Sequence, residues 1–263
     1  MDTDGWEPGQ YERFKAERSQ PFHDLVALLR PAPGGRAVDL GCGTGELTRV
    51  LHEQVGAAET VGIDSSASMF GQAGAFAGGG LSFAAGDIAE VDLDRTGGPV
   101  DVVFANAALQ WVPDHEAVLE RWVGLLCPGG QLAVQVPANL HHPSHRVIAE
   151  LATEAPFVDA GDGPPPEDPV RSVLAPERYA EVLHRLGFAD QHVRLQVYGH
   201  VLPAVDDVVE WTKGTSLTRM RRHFSTDVYD AFVAAYRDRL VAELGDQRPY
   251  FYAFRRILMW ATR

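Results

Sequence analysis

The sequence of 263 residues lacks the marks of a membrane-bound or secreted protein. No apolar run reaches the roughly 18 residues of a membrane-spanning helix. Asp2, Asp4 and Glu7 stand where a signal peptide would place basic and then apolar residues. The two cysteines, Cys42 and Cys127, are too few for a disulfide framework or a four-ligand zinc site. We therefore expect a cytoplasmic protein with no membrane partner and no bound metal.

Positive charge is also scarce in this chain. The formal net charge is -13, and Lys15 and Lys213 are the only lysines. Such a chain has no broad positive field to gather phosphates, which argues against nucleic acid as a partner. An anionic small molecule would have to meet a local basic patch. Hydrophobic residues make up 45% of the chain, enough for a buried core, and a monomer and a homodimer both remain open.

Glycine is concentrated in segment 38–45, which reads as a strand end followed by a helix start. Gly41, Gly43 and Gly45 stand there at alternate positions. Because glycine has no Cβ, such a turn can adopt positive φ and lie close against a ligand. The following helix would offer free backbone N–H groups. The segment therefore predicts a nucleotide-like cofactor rather than an unliganded turn. The predicted contacts from it are Asp39, Gly41, Cys42 and Gly43.

The acids that flank the glycines indicate which cofactor this is. A dinucleotide fingerprint would have glycine at position 46, where this chain has Glu46. Glu46 and Asp39 would compete with a pyrophosphate for the same N–H groups, so the site favours a positively charged cofactor without phosphate. S-adenosylmethionine, with its ammonium and sulfonium, meets both conditions. The pattern resembles the first motif of the class I S-adenosylmethionine-dependent methyltransferases, an acid followed by G-x-G-x-G.

A second anchor follows about 20 residues later, where doubly wound folds place an acid on the ribose diol. The run 60–64 is rich in β-branched residues and ends in Asp64. Asp64 is the ribose candidate, although it could be only a strand-end acid. Ser65 and Ser66 are predicted to cap the next helix, and Ser65 is counted among the cofactor contacts.

The third and fourth predicted strands supply the next candidates. The run 81–88 ends in Gly-Asp-Ile, and the resemblance implies that Asp87 meets the exocyclic amine of adenine and that Ile88 packs on the ring. The fourth strand, 100–105, leads into Asn106. Ligands of such sheets bind beyond the carboxyl ends of the strands. Asn106 is therefore predicted beside the reacting methyl group.

The alternation of strands and helices predicts an α/β fold with a doubly wound, Rossmann-like sheet. We expect one domain in which the helices inserted after the fifth strand form a lid over the cofactor cleft. Within the lid region, a strand is predicted at 193–201 and helices at 205–217 and 225–244. The predicted parts of the chain are a helical segment at 1–33, the cofactor-binding core at 34–137, the helical cap with the sixth strand at 138–249, and the last strand at 250–263.

Nearly the whole chain resembles the trans-aconitate methyltransferase family. The most distinctive segment is 106–115, which begins Asn-Ala-Ala-Leu-Gln-Trp, and it is supported by Pro-Ser-His at 143–145 and Phe-Arg-Arg at 254–256. The resemblance implies methyl transfer to a carboxylate oxygen of a small polycarboxylic acid, most of all trans-aconitate. Segment 245–249 departs from the family pattern near the expected acceptor site, which leaves the acceptor's identity open.

That chemistry needs no catalytic acid or base, since a carboxylic acid is already ionised at neutral pH. The rate would come from alignment and exclusion of water. Neighbours on a strand face opposite sides, so only one of Arg255 and Arg256 can point into the cleft, and the family pattern favours Arg256. Arg18 is predicted to meet the methionine carboxylate of the cofactor. The acceptor-site candidates are Gln110, Trp111, His145, Trp211 and Arg256.

Two alternatives remain open. The acceptor could be another carboxylate, a phenol, an amine or a carbon acid. The last three usually need a base, for which His115 and His145 are candidates. The chain could also be a binding module without activity or an NAD-dependent enzyme, but Glu46 argues against NAD.

Overall fold

The computed structural model describes residues 15–161 and 163–263, without the side chains of residues 15–18, 67, 68 and 70. Strands and helices alternate up to the fifth strand, and helices dominate afterwards. The strands are β1 (Arg36–Leu40), β2 (Glu59–Asp64), β3 (Leu81–Ala85), β4 (Val100–Asn106), β5 (Leu126–Pro137), β6 (Asp190–Leu202) and β7 (Tyr250–Thr262). The helices are α1 (Lys15–Val26), α2 (Glu46–Val55), α3 (Ala67–Ala73), α4 (Leu93–Thr96), α5 (His115–Val123), α6 (Pro143–Ala152), α7 (Pro176–Arg185), α8 (Asp206–Lys213), α9 (Thr218–His223) and α10 (Thr226–Leu244).

The seven strands form one sheet in the order β3-β2-β1-β4-β5-β7-β6. β1 pairs in parallel with both β2 and β4, whereas β7 runs antiparallel to β5. The strand order therefore changes direction at β1, and ligands of such sheets bind beyond the carboxyl ends of the strands at that point. The predicted Rossmann-like α/β sheet, with helices inserted after the fifth strand, is confirmed.

The central strands are continuous apolar runs, which favours their position in the interior of the sheet. In β4, the residues from Val102 to Ala105 are all fully buried, which is typical of a parallel strand covered on both faces. Phe104 meets Phe22 of α1 edge to face at a centroid distance of 5.3 Å. Helix α2 turns one side, with Leu51 and Val55, into the core. This packing holds the carboxyl ends of β1 and β4 side by side.

Residue contacts divide the chain into two compact units. The larger unit contains Ser19–Pro137, Ser172–Gln196 and Arg256–Arg263, and the described part of the smaller unit contains Ala138–Arg171 and Val197–Arg255. The smaller unit has an apolar core of its own, contributed mainly by α6, α8, α10 and the first half of β7. The single domain expected from the sequence remains a prediction.

Most predicted elements are present, and the main error lies at 205–217. That segment is not one helix, because α8 ends at Lys213 and α9 begins at Thr218. The backbone N–H groups of Thr215 and Leu217 both donate to Thr212 O, at 3.0 and 2.9 Å. These bonds close a turn and interrupt the helical ladder. In the part of the chain that the structure describes, no helix is long and apolar enough to cross a membrane.

Candidate functional site

The glycine segment forms the turn between β1 and α2. Gly41, Gly43 and Gly45 have φ values of 82°, 56° and 80°, a backbone region that residues with a side chain adopt only with strain. The N–H groups of Gly41 and Cys42 both donate to Ile63 O, at 2.8 and 3.1 Å. The turn is therefore tied to the end of β2, where the second anchor was predicted.

Two of these glycines also leave no room for a side chain. A Cβ on Gly41 would lie 2.3 Å from Ala108 Cβ, and a Cβ on Gly45 would lie 2.7 Å from Phe83 Cζ. A Cβ on Gly43 would meet no atom within 4 Å. The loop is thus packed closely against its neighbours at Gly41 and Gly45, whereas space for a ligand is open at Gly43. This shape fits a cofactor that lies directly on the backbone.

Asp64, at the end of β2, is held by two backbone donors. Its Oδ2 accepts a hydrogen bond from the Gly43 N–H at 2.8 Å, and its Oδ1 accepts one from the Ser66 N–H at 2.9 Å. Each carboxylate oxygen keeps a further lone pair for a ligand hydroxyl. Ser66, rather than Ser65, caps α3 through its Oγ, and Ser65 is exposed.

Asp39 is buried beneath the glycine turn, with only 4% of its surface exposed. Thr48 Oγ1 donates a hydrogen bond to Asp39 Oδ2 at 2.7 Å. Burial raises the pKa of Asp39 to about 7; the Asp64 charge adds to this, and the Thr48 hydrogen bond opposes it. Burial also raises the pKa of the Cys42 thiol, so Cys42 stays a neutral, compact residue of the turn.

The third-strand candidates lie just beyond β3. Asp87 is exposed, and its Oδ1 accepts a hydrogen bond from the Ala89 N–H at 2.8 Å. Ile88 is buried, and its carbonyl accepts a hydrogen bond from Trp122 Nε1 at 2.8 Å. The bond from Trp122 holds the backbone at Ile88, directly after Asp87 in the chain.

The segment after β4 carries buried polar atoms that its neighbours leave unsatisfied. Among the described residues, Asn106 Oδ1 and Gln110 Oε1 are buried without a hydrogen-bond partner. Gln110 Nε2 donates to Ala107 O at 2.7 Å, which turns its Oε1 the other way. Ala107 has a positive φ of 54°, a strained value for alanine of the kind that clusters at functional sites. Trp111 is 56% exposed.

Sequence reasoning missed Gln135, which lies opposite Asn106 in the β4–β5 register. Arg256 Nη1 donates to Gln135 Oε1 at 3.1 Å, and both side chains are buried. Gln135 Nε2 has no hydrogen-bond partner in the described part of the chain. The larger unit thus brings Asn106, Gln135 and Arg256 to the carboxyl end of β4 and β5. Only the strand register, which the sequence does not reveal, joins them.

His115, a candidate base, is 2% exposed at the start of α5. Its Nδ1 lies 2.6 Å from Tyr179 Oη. Burial lowers the pKa of His115 to about 4, against smaller opposing contributions from the backbone and Asp114. The imidazole is therefore neutral at physiological pH.

The other histidine candidate, His145, belongs to a buried polar cluster of the smaller unit. Its Nδ1 lies 3.1 Å from Ser216 Oγ and 3.4 Å from Asp168 Oδ2. Arg219 Nη1 lies 2.8 Å from the same Asp168 oxygen. Burial alone would raise the pKa of Asp168, but the His145 hydrogen bond and the Arg219 charge outweigh burial and hold it at about 2. The sequence indicated neither Asp168 nor Ser216.

The remaining two candidates have different outcomes. Trp211 is 2% exposed and packs in the smaller unit against the rings of Tyr252 and Phe254, at 5.6 and 5.8 Å between centroids. An acceptor contact by Trp211 remains a prediction. The side chain of Arg18 lies outside the described residues.

Comparison with known proteins gives consistent results. A model of a methyltransferase domain matches residues 37–130. The chain is 43% identical to a trans-aconitate 2-methyltransferase of Deinococcus radiodurans over 98% of both chains. It is 39% identical to one of Streptomyces avermitilis, over 98% of this chain and 97% of the relative.

A solved structure shares the fold at low sequence identity. It is an S-adenosylmethionine-dependent methyltransferase of Thiobacillus denitrificans in complex with S-adenosylhomocysteine. The TM-score is 0.56 at 19% identity, over 99% of this chain and 94% of that chain. The chain uses S-adenosylmethionine as its cofactor, and by its identity to the full-length relatives it belongs to the trans-aconitate 2-methyltransferase family of S-adenosylmethionine-dependent methyltransferases.

Proposed function

We propose that this enzyme methylates a carboxylate of a small polycarboxylic acid, with trans-aconitate as the favoured acceptor. The observation that carries the proposal is the 43% identity, over 98% of the chain, to a relative named for that acceptor. The net charge of -13 sets a requirement. Such a chain must hold an anionic acceptor through a few specific donors, since its overall field repels anions.

For the cofactor, we propose the following contacts. Asp64, fixed by two backbone donors, would accept the ribose hydroxyls. Asp87 would meet the adenine amine, with Ile88 against the ring. Asp39 would favour the positive charge of the methionine part, and Arg18 its carboxylate. The other proposed contacts are Gly41, Cys42, Gly43, Ser65 and Asn106.

When bound, S-adenosylmethionine supplies a methyl group on a sulfonium, so that a carboxylate oxygen bonds to the methyl carbon while the carbon–sulfur bond breaks and its electron pair stays on sulfur. The products are a methyl ester and S-adenosylhomocysteine, and no proton moves. The chain's task is therefore to position the acceptor and exclude water. The lowered pKa of His115 makes its imidazole a weak proton acceptor, which is no obstacle here because the transfer requires no base. Gln110, Trp111, His145, Trp211 and Arg256 are the proposed acceptor-site residues.

The direct test is release of S-adenosylhomocysteine with a panel of acids: trans-aconitate, cis-aconitate, citrate and isocitrate. We expect turnover with trans-aconitate, and a product that alkaline hydrolysis returns to the free acid, as a methyl ester requires. Cofactor binding without turnover on any acid would overturn the carboxylate assignment. Phenol and amine acceptors would then be tested with the same assay.

The pH dependence separates carboxylate transfer from chemistry that needs a base. With saturating S-adenosylmethionine, kcat for trans-aconitate should stay flat between about pH 6 and 8, because carboxylates ionise near pH 4. The measurement is kcat at half-unit steps of pH with S-adenosylmethionine held in excess. A rise in kcat centred near the ordinary histidine pKa that persists in Asp39→Asn would indicate a general base and contradict the positioning mechanism, since Asp39, with a pKa of about 7, also titrates in this range.

A further inference from the structure

A cavity of about 230 Å³ lies in the smaller unit, between the start of α6 and the first half of β7. Asn139, His141, His142 and Arg255 contribute its polar wall, and Ala138, Pro143 and Ala253 complete it. None of these seven described residues is an aspartate or a glutamate. The volume is below the roughly 300 Å³ at which sites for drug-sized molecules begin. The cavity therefore suits an acid of a few carbons.

The Asn139 side chain carries a hydrogen-bond donor that has no partner among the described residues. The side chain is 1% exposed, and its Oδ1 accepts a hydrogen bond from the Arg255 N–H at 2.9 Å. Because a backbone N–H can only donate, this bond fixes the amide orientation and leaves Nδ2 as the free end. Nδ2 is buried without a partner among the described residues. A buried donor without a partner costs free energy that a bound acceptor atom would recover.

His142 belongs to the wall without adding charge. The Ser144 N–H donates to its Nδ1 at 3.1 Å, so the ring proton lies on Nε2, 3.2 Å from Tyr250 Oη. Burial and, to a smaller extent, the nearby His145 lower the pKa of His142 to about 4, while Glu243 opposes the shift. The imidazole is therefore neutral at physiological pH, and both ring nitrogens are engaged.

Arg255 supplies the positive charge. Arg255 lines the cavity, and no described side chain forms an ion pair or hydrogen bond with its guanidinium. Arg255 is exposed while Arg256 is buried, which is the alternation expected of a strand. Helix α6 begins beside the cavity at Pro143, and the positive end of its dipole adds to the attraction for an anion.

We propose that this cavity is a binding site for a small carboxylate. The Arg255 guanidinium would pair with the carboxylate oxygens in its planar fork, while Asn139 Nδ2 would donate to one of them. The single Arg255 fork matches the charge of one carboxylate group, whereas a phosphate dianion would bring two charges to the same point. If the carboxylate belongs to the methyl acceptor, Arg255 takes the place of Arg256 as the arginine of the acceptor site; otherwise the cavity holds a separate acid. Binding itself does not depend on methyl transfer.

The test is calorimetric titration of the wild-type protein with citrate and, separately, with inorganic phosphate. The variants are Arg255→Gln, which removes the charge, and Arg255→Lys, which keeps it without the fork. We expect citrate to bind about tenfold more weakly to Arg255→Gln, with Arg255→Lys in between. Arg171→Gln, a loss of the same charge at an exposed position in the same unit, should bind citrate like the wild type.

Three results would overturn the proposal. The first is citrate binding equally to the wild type and Arg255→Gln, and the second is citrate failing to bind the wild type at millimolar concentration. The third is phosphate binding the wild type as tightly as citrate and losing that binding in Arg255→Gln. If citrate binding is lost as expected, the KM for trans-aconitate identifies the source of the carboxylate. If the KM of Arg255→Gln for trans-aconitate rises about as much as its citrate affinity falls, with kcat unchanged, the carboxylate belongs to the acceptor. If the KM is unchanged, the carboxylate belongs to a separate acid.

Discussion

Replacing Gly41 with alanine should lower the free energy of unfolding by about 3 kcal/mol and abolish measurable binding of S-adenosylmethionine. Two costs combine at this position. The φ of 82° is unfavourable for any side chain, and the new Cβ would lie 2.3 Å from Ala108 Cβ. Relief of that clash must move either the loop after β4 or the glycine turn itself. Both lie at the switch point where the cofactor is proposed to bind.

Gly34→Ala is the matched control for this variant. Gly34 also has a left-handed φ, 74°, but a Cβ there would meet no atom within 4 Å. It should therefore carry only the conformational cost, about 1 kcal/mol, and leave cofactor affinity unchanged. Urea unfolding gives the stabilities, and calorimetric titration with S-adenosylmethionine gives the affinities. Equal losses of stability in the two variants would show that the contact with Ala108 has no energetic weight.

The glycine turn and the strand ends of the cofactor-binding core could be predicted from sequence because their signals are local. The glycines at alternate positions indicate the turn, because glycine tolerates positive φ. Asp64 follows at the spacing that one helix and one strand impose. The last strand, predicted at 250–263, is found at Tyr250–Thr262, since its apolar run has no competing helical period.

The polar clusters could not be predicted, because they join residues that are distant in sequence. Gln135 and Arg256 are 121 positions apart, and His145 and Ser216 are 71 apart. Each pairing depends on strand register or helix packing, which single-sequence patterns do not encode. The break between α8 and α9 was missed for a related reason. It is formed by the Thr212 carbonyl, which accepts two N–H groups, and not by a proline.

The second large effect concerns Asp39. Its pKa of about 7 in the folded protein compares with about 3.9 in an unfolded chain. The folded state therefore binds the proton more tightly, and stability is lost as the pH rises from about 4 through 7. Between pH 5.5 and 7.5 the cofactor-free protein should lose about 2 kcal/mol on this account. Asp39→Asn removes the titrating group but keeps an oxygen for the Thr48 hydroxyl. Its stability should not show this loss.

Asp39→Asn should weaken cofactor binding, although it should make the protein more stable at higher pH. A cationic ligand favours the ionised form of Asp39, so wild-type affinity for S-adenosylmethionine should rise between pH 5.5 and 7.5 as the carboxylate loses its proton. Asp39→Asn should bind about 100-fold more weakly at pH 7.5, with little pH dependence. Asp94→Asn, at an exposed position of α4, is the control for a lost surface charge. If Asp39→Asn has a higher free energy of unfolding at pH 7.5 and a lower affinity for S-adenosylmethionine than the wild type, then the buried charge of Asp39 strengthens cofactor binding and lowers the stability of the fold. Unchanged affinity would remove Asp39 from the site and leave the loop glycines and Asp64 to bind the cofactor.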